Sequence, residues 1–131
     1  MEIEKIFKNL ILADFIIIIL MVISSLYQPD EITNLYDNLN DGLLSNFENF
    51  SRIVSISLFF LYLITLNLLY RFIKFGKPLY FFLVVAGLVF NYFSGSVVYT
   101  AFSGLLDQIG GLISGSILVL LYFSPIKNNF D

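Results

Sequence analysis

The chain has 131 residues, of which 58% are hydrophobic, 18% aromatic and 13% charged, with a net charge of −3. This length suits one domain, residues 1–131, and a charged fraction well below the roughly 25% of soluble proteins indicates a membrane protein. The sequence has no cysteine or histidine, which excludes disulfides and the commonest general base, and its small net charge offers nucleic acid no basic surface.

Four apolar runs have the length of membrane spans and predict an all-α, four-helix transmembrane bundle. In lipid, every backbone polar group needs a partner within the protein, so runs of this length are expected to be helices. They cover residues 10–27, 53–70, 79–98 and 102–123. The first run follows two lysines, but it contains Asp14 and ends without a small-residue cleavage site. We therefore expect it to be a retained span and not a signal peptide.

The link between the first two spans, residues 28–51, is acidic and contains no lysine or arginine. Its first part predicts a short amphipathic helix, because apolar residues recur at helical spacing at Ile32, Leu35, Tyr36 and Leu39. The following stretch resembles a calcium loop, with acidic side chains at the ligand positions Asp37, Asp41 and Glu48. Leu39 stands where a third oxygen ligand belongs, so a turn is the preferred interpretation and calcium the weak alternative. No cofactor is expected.

Lysine and arginine residues lie in one set of links and predict the orientation. They precede the first span, fill the link between the second and third spans, and follow the fourth: Lys5, Lys8, Arg71, Lys74, Lys77 and Lys127. The positive-inside rule therefore places both termini in the cytoplasm and residues 28–51 outside, with only Arg52 against it. Five tyrosines at the predicted span ends are interpreted as interfacial anchors: Tyr27, Tyr70, Tyr80, Tyr99 and Tyr122.

Two carboxylates lie inside predicted spans, where charge is costly and marks function or tight packing. Asp14 shares its depth with Asn67, which is one turn before Arg71 on the same helix face. We therefore predict an inner polar cluster of these three residues. Asp107, near the outer end of the fourth span, has Asn91 of the third span at equal depth, which predicts an outer hydrogen-bonded pair.

Glycines at helical spacing predict close packing between the third and fourth spans. Gly111 and Gly115 form a small-residue motif that lets two helices approach, and the wider set is Gly87, Gly95, Gly104, Gly111 and Gly115. Packing is the preferred interpretation of these polar and small residues. The functional alternative is a polar path or a proton site.

The C-terminal part of the chain, about 55 residues, resembles a group of small four-span bacterial inner-membrane proteins. Those proteins begin span three with a basic residue, proline, leucine and an aromatic residue, as Lys77-Pro78-Leu79-Tyr80 does here. They end span four with Tyr-Phe-Ser-Pro and a basic residue, as Tyr122-Phe123-Ser124-Pro125 and Lys127 do. The resemblance implies a multi-pass fold in the bacterial inner membrane and supplies no activity.

The sequence lacks the residue sets of enzymes, so we expect a non-enzymatic protein. The preferred expectation is an accessory or immunity-type protein that packs with itself or with another membrane protein in the lipid bilayer. The alternative is an oligomeric channel or a proton-coupled small transporter that uses Asp14 or Asp107.

Overall fold

The computed structural model describes residues 2–40, 45–93 and 97–130. Within these ranges the chain forms five α-helices, one 3-10 helix and no strand. The helices are α1 (Glu2–Leu26), α2 (Asp30–Asn40), α3 (Ser45–Tyr70), α4 (Gly76–Phe93) and α5 (Ala101–Phe123), followed by the 3-10 helix Pro125–Phe130. Four of these, α1, α3, α4 and α5, are long and apolar enough to cross a membrane, which confirms the predicted number of such helices.

The helix boundaries differ most from the prediction at α1 and α4. Helix α1 begins at Glu2 and not at residue 10, and its first turn carries Glu2 and Glu4, which the positive end of a helix dipole favours. Helix α4 begins at Gly76, because Pro78 in the first turn is compatible with a helix. Its described residues end at Phe93.

The four long helices run in alternating directions. Phe7 near the start of α1 stacks on Phe72 after the end of α3, with 5.8 Å between ring centroids. At the other end of α1, Ser24 Oγ lies 2.7 Å from Ser103 Oγ near the start of α5. We call the end that contains Phe7, Phe72 and the 3-10 helix the terminal end, and the opposite end, which contains α2 and residues 97–100, the loop end.

The four long helices pack as two close pairs, and the contacts between the pairs are fewer than those within them. Helix α1 packs most extensively on α5, and α3 packs on α4, while α4 and α5 touch one another much less. On α5 the face toward α1 is built from small and apolar residues, and a Cβ added at Gly110 would lie 3.4 Å from Ile17 Cγ2. The weak contact between α4 and α5 leaves space between the two pairs.

The buried core lies in the half of the bundle nearer the terminal end. Its members come from all four long helices and the 3-10 helix: Phe7, Ile11, Leu66, Leu69, Tyr80, Ile117, Leu121, Ile126 and Phe130. The 3-10 helix folds back under the bundle, where the ring of Phe130 lies 6.1 Å from Phe7 and 5.2 Å from Phe72. The core therefore closes this half of the molecule.

The connection between α3 and α4 is tight. Phe72 adopts a left-handed backbone conformation, with φ of 55°, which turns the chain sharply after Tyr70. A Cβ added at Gly76 would lie 3.0 Å from Leu68 Cβ and 3.2 Å from Leu69 N. A side chain at this position would push the start of α4 away from α3 by a few tenths of an ångström, so glycine favours this close approach.

Helix α2 is present where the sequence predicts a short helix. The apolar side chains of Leu35 and Leu39 are 51% and 59% exposed, so these two residues do not pack into the bundle core.

Candidate functional site

A cavity of about 730 Å³ lies between α1, α3, α4 and α5. It is lined mainly by apolar side chains and runs from Asp14 toward the loop end, where the exposed residues Asn91 and Asp107 contribute to its wall. The core closes it at the terminal end, since Tyr80 and Ile117 are fully buried there. The cavity therefore has one closed end and one open end.

Asp14 lies at the closed end of the cavity and belongs to a hydrogen-bonded cluster that joins the four long helices. The hydroxyl of Tyr62, on α3, donates to Asp14 Oδ2 at 2.7 Å, and Ser114 Oγ, on α5, donates to Asp14 Oδ1 at 3.5 Å. The Tyr80 hydroxyl, on α4, lies 3.1 Å from that of Tyr62, which is also 3.3 Å from Ser114 Oγ. We call Asp14, Tyr62, Tyr80 and Ser114 the carboxylate cluster.

The hydrogen positions in the carboxylate cluster follow from counting donors. Tyr62 has one hydroxyl hydrogen and gives it to Asp14, so in its contact with Tyr80 it accepts. Asp14 is only 2% exposed, and a carboxylate offers about four acceptor positions, of which Tyr62, Ser114 and Tyr80 occupy at most three. The carboxylate thus keeps acceptor capacity on the cavity side.

Burial and hydrogen bonding act on Asp14 in opposite directions. Removal from water costs the charged form free energy, whereas donated hydrogen bonds from hydroxyl groups favour it. A carboxylate under these two opposed influences at the end of a cavity is suited to gain and lose a proton or to pair with a cation.

The predicted inner cluster is not formed as the sequence suggested. Asp14 bonds to Tyr62 and Ser114, while the side chains of Asn67 and Arg71 are exposed. On α3 the stripe that faces the core contains Tyr62, Leu66 and Leu69, and Asn67 lies beside that stripe. Arg71 follows the end of α3, where its long side chain reaches the surface at less cost than pairing inside the bundle.

The predicted outer pair shares one cavity wall without forming a hydrogen bond. Asn91 and Asp107 both line the cavity near its open end, both are exposed, and no hydrogen bond joins them. Helix α5 turns Ser103 and Leu106 toward α1 instead, so its contact with α4 at this depth is slight. Asp107 is close enough to Tyr99 that its charge adds to the effect of burial, and together they raise the pKa of Tyr99.

Three of the five predicted packing glycines line the cavity. A Cβ added at Gly87, Gly111 or Gly115 would meet nothing within 4 Å, so these glycines do not hold α4 against α5. Gly104 would place a Cβ 3.7 Å from Tyr99 Cβ, within its own stretch of chain. The close approach on α5 occurs at Gly110, against α1, and Gly95 lies outside the described residues.

The weak calcium candidate falls largely on residues that are not described. Asp37 is exposed on α2, Asp41 lies outside the described residues, and the side chain of Glu48 is likewise not described. Among the described residues, no three acidic side chains converge on a point that could hold a metal ion.

Sequence reasoning identified Asp14 but missed its partners. Tyr80 was interpreted as an interfacial anchor, yet it is fully buried and belongs to the carboxylate cluster. The signal for Tyr62 was its position near the middle of an apolar span, where a phenol hydroxyl needs a hydrogen-bond partner. Ser114 lies in the same stretch of small residues as Gly111 and Gly115, and nothing in that pattern indicates a hydrogen bond to Asp14.

A second hydroxyl cluster lies at the loop end. Thr100 caps α5 by accepting from the backbone N–H of Ser103 at 3.1 Å, and its Oγ1 lies 2.9 Å from Ser103 Oγ. Ser103 Oγ also contacts Ser24 Oγ on α1, so the capping residue, α5 and α1 are linked. These hydroxyls satisfy one another, which is typical of a structural contact.

Comparison of the chain with family models, with curated proteins and with solved structures finds no match. The candidate site is therefore interpreted from its own geometry and chemistry.

Proposed function

We propose that the protein is a non-enzymatic, proton-coupled small transporter in which Asp14 is the group that gains and loses the proton. The single observation that carries this proposal is the position of Asp14 at the closed end of the cavity, bonded to hydroxyls of Tyr62 and Ser114. A carboxylate inside a membrane is retained at a cost, and transport is one of the functions that justify it.

The geometry favours a carrier over an open channel. A channel through a single chain needs a continuous path, whereas here the buried core blocks the path between Asp14 and the terminal end. A carrier needs one accessible site and a rearrangement that opens the other side. The cavity, open at the loop end, supports the first of these states.

The proposed location is the bacterial inner membrane, with the terminal end in the cytoplasm. The distribution of cations supports this orientation, because Lys5, Lys8 and Lys74 lie near the terminal end while residues 28–51 carry none. In this orientation the cavity opens toward the outside.

Proton flux through reconstituted protein tests the proposal. Liposomes with an internal pH dye and a potassium gradient set by valinomycin would report proton entry. We expect flux above that of empty vesicles from the wild type and none from Asp14→Asn, which keeps the side-chain shape and removes the titrating group. Asp107→Asn is the matched control and should retain most of the flux, because Asp107 is exposed at the open end of the cavity.

Two results would contradict the transport proposal. One is wild-type flux no greater than that of empty vesicles. The other is undiminished flux in Asp14→Asn while the variant retains its fold.

Self-association or binding of a membrane partner is the second candidate function. The observation in its favour is that Gly87, Gly111 and Gly115 have no neighbour where a side chain would stand. A helix of a second chain could occupy that space by small-residue packing. Oxidative cross-linking of Gly111→Cys in membranes would then give dimers, and Leu61→Cys on the exposed surface of α3 would serve as the control.

A further inference from the structure

The charges around the cavity have one sign. Asp14 stands at the closed end and Asp107 near the open end, and no lysine or arginine is among the described residues that line the wall. In a weakly polar surrounding, the potential of two carboxylates is screened much less than in water. The cavity therefore attracts a positive charge and repels a negative one.

The remainder of the wall is apolar and aromatic. The rings of Phe59, Tyr62 and Phe90 line the cavity together with aliphatic side chains. A metal ion would lose its water there and gain few oxygen ligands beyond the carboxylate cluster, and the described residues hold no group of three acidic side chains that could replace that water. An organic molecule with an apolar surface gains from the same wall, and aromatic rings also favour organic cations.

We infer that the cavity binds a monovalent organic cation with an apolar body, whose charged group lies at Asp14. This inference rests on the proposed transport role for its biological meaning, and it names the class of substrate. The acceptor capacity that Tyr62, Ser114 and Tyr80 leave on the Asp14 carboxylate is available to an N–H of the ligand. A quaternary cation, which has no N–H, is attracted by the charge of the carboxylate alone. Asp107 assists at the open end.

The size of the cavity agrees with a ligand of this class. Binding sites for small organic molecules measure about 300–1,000 Å³, and they are mostly apolar with a few polar groups that orient the ligand. The cavity of about 730 Å³ lies within this range and has its polar groups grouped at Asp14. The glycines at positions 87, 111 and 115 provide the space, since side chains there would enter the cavity.

Two ions of nearly equal size and opposite charge provide the test. Radiolabelled tetraphenylphosphonium is the cation and tetraphenylborate the anion, and binding to immobilised purified protein is measured by scintillation proximity in detergent. We expect saturable binding of the cation and none of the anion. The Asp14→Asn variant should weaken cation binding by about tenfold or more, while Asp107→Asn should have a smaller effect.

Two further variants separate loss of the site from loss of the fold. Gly111→Leu should reduce binding by filling the cavity, and it should fold because nothing lies within 4 Å of its Cβ. Asp30→Asn removes a carboxylate from α2, away from the cavity, and should leave binding unchanged. Thermal unfolding of each variant reports the fold.

Equal binding of the anion and the cation, absence of saturable cation binding, or undiminished cation binding in Asp14→Asn would each overturn the inference. Its failure is distinct from that of the transport proposal. Cation binding without proton flux would contradict transport and leave the binding site in place. Proton flux without cation binding would contradict the binding site alone.

Discussion

Tyr62 is the central residue of the carboxylate cluster, because its hydroxyl contacts Asp14, Tyr80 and Ser114. Without it, Asp14 would keep the long contact with Ser114 and the weaker interaction with Tyr80, and a buried carboxylate would lose its shortest hydrogen bond. The carboxylate cluster thus depends more on Tyr62 than on Tyr80, whose hydroxyl lies 3.1 Å from that of Tyr62 and interacts more weakly with Asp14.

Tyr62→Phe is therefore expected to lower the free energy of unfolding by about 1–2 kcal/mol. Tyr80→Phe should cost less, about 0.6 kcal/mol, the average for an interhelical hydrogen bond in a membrane. Reversible unfolding in mixed detergent micelles measures both, with Tyr92→Phe as the control, since Tyr92 is 83% exposed. An equal effect of all three changes would contradict the geometry of the cluster.

For single residues, the sequence predicted that Asp14 marks a functional or tightly packed position, but it could not predict which side chains Asp14 contacts. A charged residue in an apolar run can be recognised from a single sequence, because the free-energy cost of placing a charge in the membrane does not depend on which residues are its neighbours. The partner of Asp14 depends on how each helix is rotated about its own axis. The depth of a residue in the membrane does not determine that rotation. Matching Asp14 to Arg71 by depth failed because the core-facing stripe of α3 contains Tyr62 and Leu66, while Arg71 is exposed.

The 3-10 helix Pro125–Phe130 is the element that completes the terminal end. Phe130 is 2% exposed and packs against Phe7 and Phe72, and Asn129 Nδ2 donates to Glu4 Oε1 at 3.0 Å. The ammonium of Lys8 lies 5.1 Å from the centroid of the Phe72 ring, which adds a cation–π contact. The tail thus holds α1 against the α3–α4 turn.

Phe130→Ala is expected to destabilise the protein by about 3 kcal/mol, since a buried aromatic side chain is removed from a closed core. Lys127→Ala is the matched control on the same short helix, where an exposed side chain should change stability by no more than about 0.5 kcal/mol. Unfolding in mixed micelles gives both values. If the two changes had equal effects, the tail would not be packed as described.

Elements were easier to predict than their contacts. The spans of α3 and α5 end where the apolar runs end, at Tyr70 and Phe123, because run length and hydrophobicity are local properties. In the tail, Pro125 indicates only where the fourth span stops, whereas the structure also buries Ile126 and Phe130. Two apolar residues four apart after a proline do not show which surface they cover.

The whole molecule is asymmetric along the direction of its long helices, with a filled half at the terminal end and a cavity in the other half. The glycine stripes explain this asymmetry in a way that the sequence did not indicate. Small residues permit close helix packing and also leave space, and which of these occurs depends on the neighbouring helix. Gly110 has α1 as a close neighbour, whereas Gly111, one position further, faces the cavity.

The orientation of the molecule is predicted from its cations and can be measured with single cysteines, because the chain has none of its own. A membrane-impermeant maleimide added to intact cells should label Asn38→Cys and Val97→Cys at the loop end. It should not label Phe75→Cys or Asn128→Cys at the terminal end until the cells are opened. All four side chains are exposed, so accessibility does not differ for local reasons. Labelling of the second pair in intact cells would reverse the proposed orientation.

The most direct measurement of the central claim is the charge preference of a reagent that must pass through the cavity to reach the carboxylate cluster. Gly115 lines the cavity next to Ser114, while Leu112 on the same helix is 74% exposed and does not line it. We predict that a trimethylammonium methanethiosulfonate modifies Gly115→Cys in membranes faster than a sulfonate reagent of similar size. Leu112→Cys should react with neither, because its exposed side chain lies within a proposed membrane span and outside the cavity, where lipid excludes both charged reagents. Reaction of Gly115→Cys with both reagents at the same rate, or with neither, would contradict a cavity that admits cations to Asp14.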